Sequence, residues 1–160
     1  MLNLTVEQVN NLVSSSPRKN GRYNLFFKIN DSIGLKLTKS REIRDGNYER
    51  QTKASQYGLG PDTHGTIDNV VFQNKVYFGY FTEIVEVFSD THTPEQILNK
   101  EDMVNYEELY LALRKNLEFN FSDSHMGNIG RKNGKLVCID FDNEWNSSLG
   151  CRRRNEYVVS

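Results

Sequence analysis

The sequence predicts an α+β chain organised as two lobes. Three observations carry that expectation. Segments with strand character crowd into the first half around one helix. A long amphipathic helix and one short hairpin make up the second half. The length, 160 residues, suits a single domain with a real core. We expect a first lobe over about residues 1–85 and a smaller second lobe over 86–160.

Thr5 to Val13 reads as a helix. Thr5 can cap it, Glu7 favours its positive end, and Val6, Val9 and Val13 recur at helical spacing. Ser14 to Gly21 reads as a loop. Tyr23 to Ile29 and Ile33 to Thr38 read as strands, joined at Asn30-Asp31 into a hairpin. Ser40 can cap a helix through about Tyr57, and Gly58-Leu59-Gly60-Pro61 stops it. Gly65 to Val71 and Lys75 to Val87 read as two more strands. Thr93-Pro94 opens a short helix. Asp102 to about Phe119 is a longer helix with Val104, Leu109, Leu113 and Leu117 toward one face. Asn128 to Gly130 and Lys135 to Asp140 are short strands, with Asn133-Gly134 as the hairpin turn.

Composition excludes several classes. A formal net charge of -1 argues against bulk binding to nucleic acid or to an anionic membrane. No apolar run approaches the roughly 18 to 20 residues that span a bilayer. The N-terminus lacks the layout of a signal peptide, and two cysteines make neither a metal motif nor a disulfide framework. These features fit a cytoplasmic, reduced protein. His64 and His92 read as surface residues, Cys138 as a small buried hydrophobe, and Cys151 as an exposed thiol. Arg152 to Arg154 read as a solvated basic tail.

The chemistry concentrates in Phe121 to Asp142. Asp123 and Asn128 flank a short loop directly after a helix, and Asp140 ends the apolar run Leu136-Val137-Cys138-Ile139. A carboxylate there is costly to bury unless it meets a cation or a donor. A hairpin would bring Asn128 and Asp140 to one edge, where their oxygens suit magnesium with phosphate oxygens completing its shell.

The pattern D-x-H-x-x-N-I, a hairpin, and an apolar strand ending I-D-F-D resembles the catalytic and metal-binding segment of the protein-kinase-like superfamily. It is most similar to the aminoglycoside-phosphotransferase branch, where a histidine commonly stands two residues after the aspartate. The resemblance implies a minimal two-lobed kinase-like fold: an antiparallel sheet with one helix, then a short helical lobe. It implies that Asp123 orients or deprotonates the acceptor hydroxyl, that Asn128 and Asp140 bind Mg2+, and that His125 braces the loop. It also implies a lysine on an early strand. Ile33-Gly34-Leu35-Lys36 supplies it, with Gly34 where the family usually has alanine over the adenine. Strand alternation puts Gly34 and Lys36 on one face and Ile33, Leu35 and Leu37 on the other. Lys36 is then expected at the ATP phosphates, paired with Glu49 or alternatively Glu42. Phe81-Thr82-Glu83-Ile84-Val85-Glu86 resembles the hinge, with Thr82 as gatekeeper, the Glu83 and Val85 backbones at adenine and Glu86 near the ribose.

Three departures accompany the resemblance. There is no glycine-rich loop before the first hairpin, Phe121 stands where the family usually has histidine, and few residues follow Asp142. The expected function is an Mg-ATP-dependent phosphotransferase acting on a hydroxyl of a protein or of the chain itself. The alternatives are a pseudokinase-like module that binds a protein partner and a small-molecule kinase. A short asparagine-rich chain with a pared-down kinase core suggests a viral or mobile-element origin.

Overall fold

The computed structural model describes residues 3–15, 19–20, 25–87, 99–117 and 128–141. They form helices α1 (Val6–Ser15), α2 (Arg41–Gln56) and α3 (Lys100–Leu117). The strands are β1 (Lys19–Asn20), β2 (Leu25–Lys28), β3 (Ile33–Thr38), β4 (Thr63–Phe72), β5 (Lys75–Glu83), β6 (Glu86–Val87), β7 (Ile129–Lys132) and β8 (Lys135–Cys138). The chain divides into two compact units: Met1–Tyr48 with Asp62–Ile84, and Glu49–Pro61 with Val85–Ser160. The boundary passes through α2 between Tyr48 and Glu49.

The first unit is built on a five-stranded antiparallel sheet in the order β1-β2-β3-β5-β4. The β2–β3 turn follows from Asn30, whose side-chain oxygen accepts from the Ser32 and Ile33 N–H groups at 2.8 and 2.9 Å. That closure fixes the register, placing Phe26 opposite Lys36 and Phe27 opposite Leu35. One face of the sheet buries Phe27, Leu35, Leu37, Phe72, Tyr77 and Phe81, and α1 covers it with Val9 and Val13. The α1 helix begins at a reciprocal cap: the Gln8 N–H donates to Thr5 Oγ1 at 3.1 Å, and the Thr5 N–H donates to Gln8 Oε1 at 2.8 Å. It runs on through Ser14 and Ser15, whose hydroxyls donate to the Asn11 carbonyl oxygen. Ser14 and Ser15 are thus helical and Lys19–Asn20 is strand β1, where a loop over Ser14 to Gly21 was expected, and Val6 is exposed.

The first half of α2 is fastened to the same sheet by Arg44, whose side chain is 4% exposed. Its Nη1 donates to the Ile67 and Gly79 carbonyl oxygens at 3.0 and 2.9 Å, and its Nη2 to Asp68 at 2.8 Å. Ile67 borders an irregularity in the β4–β5 ladder, so Arg44 satisfies a carbonyl beside the break.

In the second unit, β6, β7 and β8 form a three-stranded antiparallel sheet. Asn133 and Gly134 have φ of 52° and 80°, the two positive values that a tight β7–β8 turn requires. Leu109 and Leu113 of α3 bury against Ile129, Leu136, Cys138, Phe141 and Ala54. Val104 is 57% exposed and does not share that face; Tyr106, Tyr110 and Leu117 do. The free thiol of Cys138 is buried, as expected of a small hydrophobe. The C-terminus of α2 ends as its sequence predicts, with Gly58 at φ 73° and the Leu59 N–H donating to the Ala54 carbonyl oxygen at 2.9 Å.

The expected strand over Lys75 to Val87 is two strands. The chain leaves the first ladder at Ile84, whose N–H donates to the Ser32 carbonyl oxygen at 2.9 Å. Glu86 and Val87 pair with Arg131 and Gly130 instead. The expected helix at Thr93-Pro94 lies outside the described residues. His64, expected at the surface, is half-buried within β4. No described helix is long and apolar enough to cross a membrane.

Candidate nucleotide site

Lys36 lies on β3, half-buried, on the sheet face opposite the packed core. Register sets it between Phe26 on β2 and Tyr80 on β5. Its Nζ is 5.8 Å from the centroid of the Tyr80 ring, within the reach of a cation–π attraction. Gly34 is on the same face, paired with Thr82. Tyr80 is buried, and Tyr48 of α2 meets it edge-on with centroids 5.5 Å apart. Tyr48 also accepts the Gly65 N–H at its hydroxyl, at 3.1 Å. Glu49, the next residue, is exposed, and so is Glu42 in the first turn of α2.

Glu83 closes β5. Its N–H donates to the Asp62 carbonyl oxygen at 2.8 Å, and its carboxylate accepts the Asp62 N–H at 3.0 Å. Its carbonyl oxygen accepts the hydroxyl of the buried Thr82 at 3.2 Å.

In the second unit, Val85 is half-buried and packs close to Gly130. A Cβ on Gly130 would meet the Val85 side chain at 2.7 Å and the Glu86 carbonyl oxygen at 2.8 Å. Glycine is therefore what lets β6 lie against β7. Asn128, 8% exposed, stands immediately before β7, and its carbonyl oxygen accepts the Ile139 N–H at 3.0 Å. That bond extends the β7–β8 pairing by one step and brings the Asn128 and Ile139-Asp140 backbones to the same open end of the hairpin.

The end of β8 is held from several sides. The Cys138 N–H donates to the Leu59 carbonyl oxygen at 2.9 Å, and the Cys138 thiol to the Asp140 carbonyl oxygen at 3.2 Å. Arg50 Nε donates to the Phe141 carbonyl oxygen at 2.9 Å. The Phe141 ring fills the space beside Gly60, where a Cβ would meet it at 2.9 Å. Among the described residues no three His, Cys, Asp or Glu side chains gather into a metal cage. An Asn and an Asp at one hairpin end fit instead a hard cation that draws most of its oxygens from phosphate and water. Asp123, with Phe121 and His125, lies outside the described residues.

No family model and no curated protein matches the chain. Among solved structures, the kinase PK-1 of the Cydia pomonella granulovirus superposes on 86% of this chain with a TM-score of 0.54, at 13% sequence identity. The fold is kinase-like. The kinase-like chain covers 57% of the length of PK-1. The likeness is to a viral kinase and not to an aminoglycoside phosphotransferase, so the narrower branch expected from the D-x-H-x-x-N spacing gains no support from it.

Sequence reasoning gave no site role to Phe26, Tyr48, Tyr80 or Arg50 in this kinase-like fold. The runs Tyr23 to Phe27 and Tyr77 to Phe81 were expected to form the sheet core and its edges. Phe27, Tyr77 and Phe81 pack in the core under α1, and Tyr80, 1% exposed, is equally buried but on the face of Lys36, where Phe26 is half-buried. Counting outward from the Asn30 turn would have separated Phe26 from Phe27, because direct partners in an antiparallel pair share a face.

Proposed function

We propose that this chain is a magnesium- and ATP-dependent phosphotransferase of minimal kinase-like fold that acts on a hydroxyl group of a protein or of the chain itself. The observation that carries the proposal is the kinase-like fold with Lys36 on the sheet face opposite the core. Asn128 and Asp140 at the open end of one hairpin add to it. In this reading Lys36 meets the phosphates, with Glu49 as its acidic partner. Asn128 and Asp140 hold magnesium, and the Glu83 and Val85 backbones contact adenine. Asp123 orients the acceptor hydroxyl. Phosphoryl transfer asks for little covalent help; it asks for alignment and for cations against the developing charge.

Thermal melting with Mg-ATP tests the nucleotide site. A ligand that binds only the folded chain at about 100 times its Kd stabilises it by about 2.7 kcal/mol. We expect a raised midpoint for the native chain and none for Asp140→Ala. Transfer of labelled γ-phosphate, lost in Asp123→Ala, tests catalysis. No midpoint shift in the native chain at millimolar Mg-ATP rejects the proposal.

A second reading is a nucleotide-holding module that binds a protein partner without transfer. The seat of Tyr48 against Tyr80, with the neighbouring Glu49 exposed, favours it. A midpoint shift without transfer to protein, to the chain itself or to small-molecule hydroxyls selects that reading.

A further inference from the structure

Helix α3 buries Leu109 and Leu113 against residues of β7 and β8, yet it carries a second apolar stripe. Leu111 is 63% exposed and Val104 is 57% exposed. At about 100° per residue these two lie about 20° apart on the helix surface, and Leu111 stands about 160° from both Leu109 and Leu113. The stripe therefore points directly away from the core. Four exposed charged residues border it. Glu107 and Arg114 lie about 40–60° to one side of Leu111, and Glu108 and Lys115 lie as far to the other. On each flank the acid and the base are seven residues apart, two turns of helix. That is beyond the three- and four-residue spacings at which a helix pairs its own charges. Within α3 no residue of opposite charge stands at those nearer spacings from any of the four.

We propose that this face of α3 is the seat of a second copy of the chain, in an antiparallel helix pair centred on Leu111. Single exposed apolar residues are ordinary and would not argue for it; the order of the charges does. Turned end for end about Leu111, the helix answers itself. The two Leu111 side chains meet at the twofold axis. Glu107 comes opposite the second copy's Arg114, and Glu108 opposite its Lys115, and symmetry repeats both contacts. A parallel pair in the same register would set Glu against Glu and base against base, which is unfavourable. The flanking charges thus select the antiparallel register, and the Leu111 stripe supplies the apolar contact. One helix face is a small interface, so the pair is a weak, reversible dimer with a Kd on the order of 0.1 mM. This inference stands apart from the nucleotide-binding reading, since α3 carries none of the residues assigned to that site.

Sedimentation of the whole chain from about 10 μM to about 1 mM tests this. The native chain is expected to pass from monomer to dimer over that range, and Leu111→Glu to weaken the dimer at least tenfold. Two double variants test the register. Glu107→Lys with Glu108→Lys makes both flanks basic, and Arg114→Glu with Lys115→Glu makes both acidic. Each is expected to stay monomeric alone, and an equimolar mixture of the two to form a dimer at least as tight as the native one. Melting midpoints in dilute solution confirm that the variants are folded, and the double variants serve if Leu111→Glu is not. A native chain that stays monomeric throughout overturns the proposal. So does a native dimer that Leu111→Glu leaves intact, which would place the contact on another face. A mixture of the double variants that fails to associate overturns the antiparallel register and with it the proposal.

Discussion

Arg50 Nε donates to the carbonyl oxygen of Phe141 at 2.9 Å, so α2 grips the residue that directly follows Asp140. The Arg50 stem crosses to that carbonyl from the stretch of α2 that belongs to the second unit. An acidic side chain can hold a cation in fixed geometry only if its backbone is fixed, which makes Arg50 a positioning residue for Asp140 in the proposed site. We expect Arg50→Met to cost about 1–2 kcal/mol of stability. We also expect it to shrink the midpoint shift given by Mg-ATP while leaving the shift given by magnesium-free ATP nearly as in the native chain. Equal shrinkage with and without magnesium would show that Arg50 has no bearing on the metal.

The same strand end is shaped by Gly60. A Cβ there would lie 2.9 Å from the Phe141 ring and 3.3 Å from the Ala54 methyl, and Phe141 is 1% exposed with little room to move. Gly60→Ala is expected to destabilise the chain by about 1–3 kcal/mol through overpacking. Urea denaturation followed by circular dichroism measures it. A cost below about 0.5 kcal/mol would mean that Phe141 can shift freely.

Arg44 is the buried fastening of the first unit. Its guanidinium serves two backbone carbonyls and Asp68, and Asp68 also meets Arg41 at 3.3 Å. Asp68 is 41% exposed, so the ion pair itself contributes little. The carbonyls of Ile67 and Gly79 matter more, because removing their donor leaves them without that partner. Arg44→Leu is expected to cost about 3 kcal/mol, and Arg44→Lys, which keeps the charge but not the fork, somewhat less. If raising salt to 1 M weakens the native chain as much as Arg44→Leu does, the ion pair and not the carbonyls carries the effect.

Much of this was legible in the sequence, and the failures have physical causes. Ile33 to Thr38 is a strand as read, because alternation and an Asx turn agree on it. The end of α2 is as read, because Gly58 supplies the one residue with positive φ that its stop needs. Lys75 to Val87 is rich in Val, Tyr, Phe and Ile to its end, but its pairing changes partner. Ser32 draws Ile84 off the ladder, and a distant contact of that kind leaves no local mark. Val104 fits a helical spacing that the packing around Leu109 and Leu113 does not use. Phe26 looked like one aromatic among several because the face of a residue depends on register, and register is set at Asn30.

The cap and side chains of α1 offer a last test, on the edge of the sheet. Strand β4 is an edge strand, and edge N–H groups are open to pairing with another chain. The Asn10 side-chain oxygen accepts one of them, the Val71 N–H, at 2.9 Å. Val71 is 44% exposed and its partner Val76 is 52% exposed, so the end of this hairpin is apolar as well as open. Val13 has no exposure, and Val13→Ala is expected to cost about 2 kcal/mol by cavity formation. Asn10→Ala is expected to cost only about 1 kcal/mol, but it uncovers the edge. Its Val71 amide should lose hydrogen-exchange protection while the amide of buried Val70 keeps it. The variant should also associate at concentrations where the native chain and Val13→Ala do not, as light scattering would show. Val13→Ala associating more than Asn10→Ala would mean that α1 guards the sheet by burying its face and not by occupying its edge.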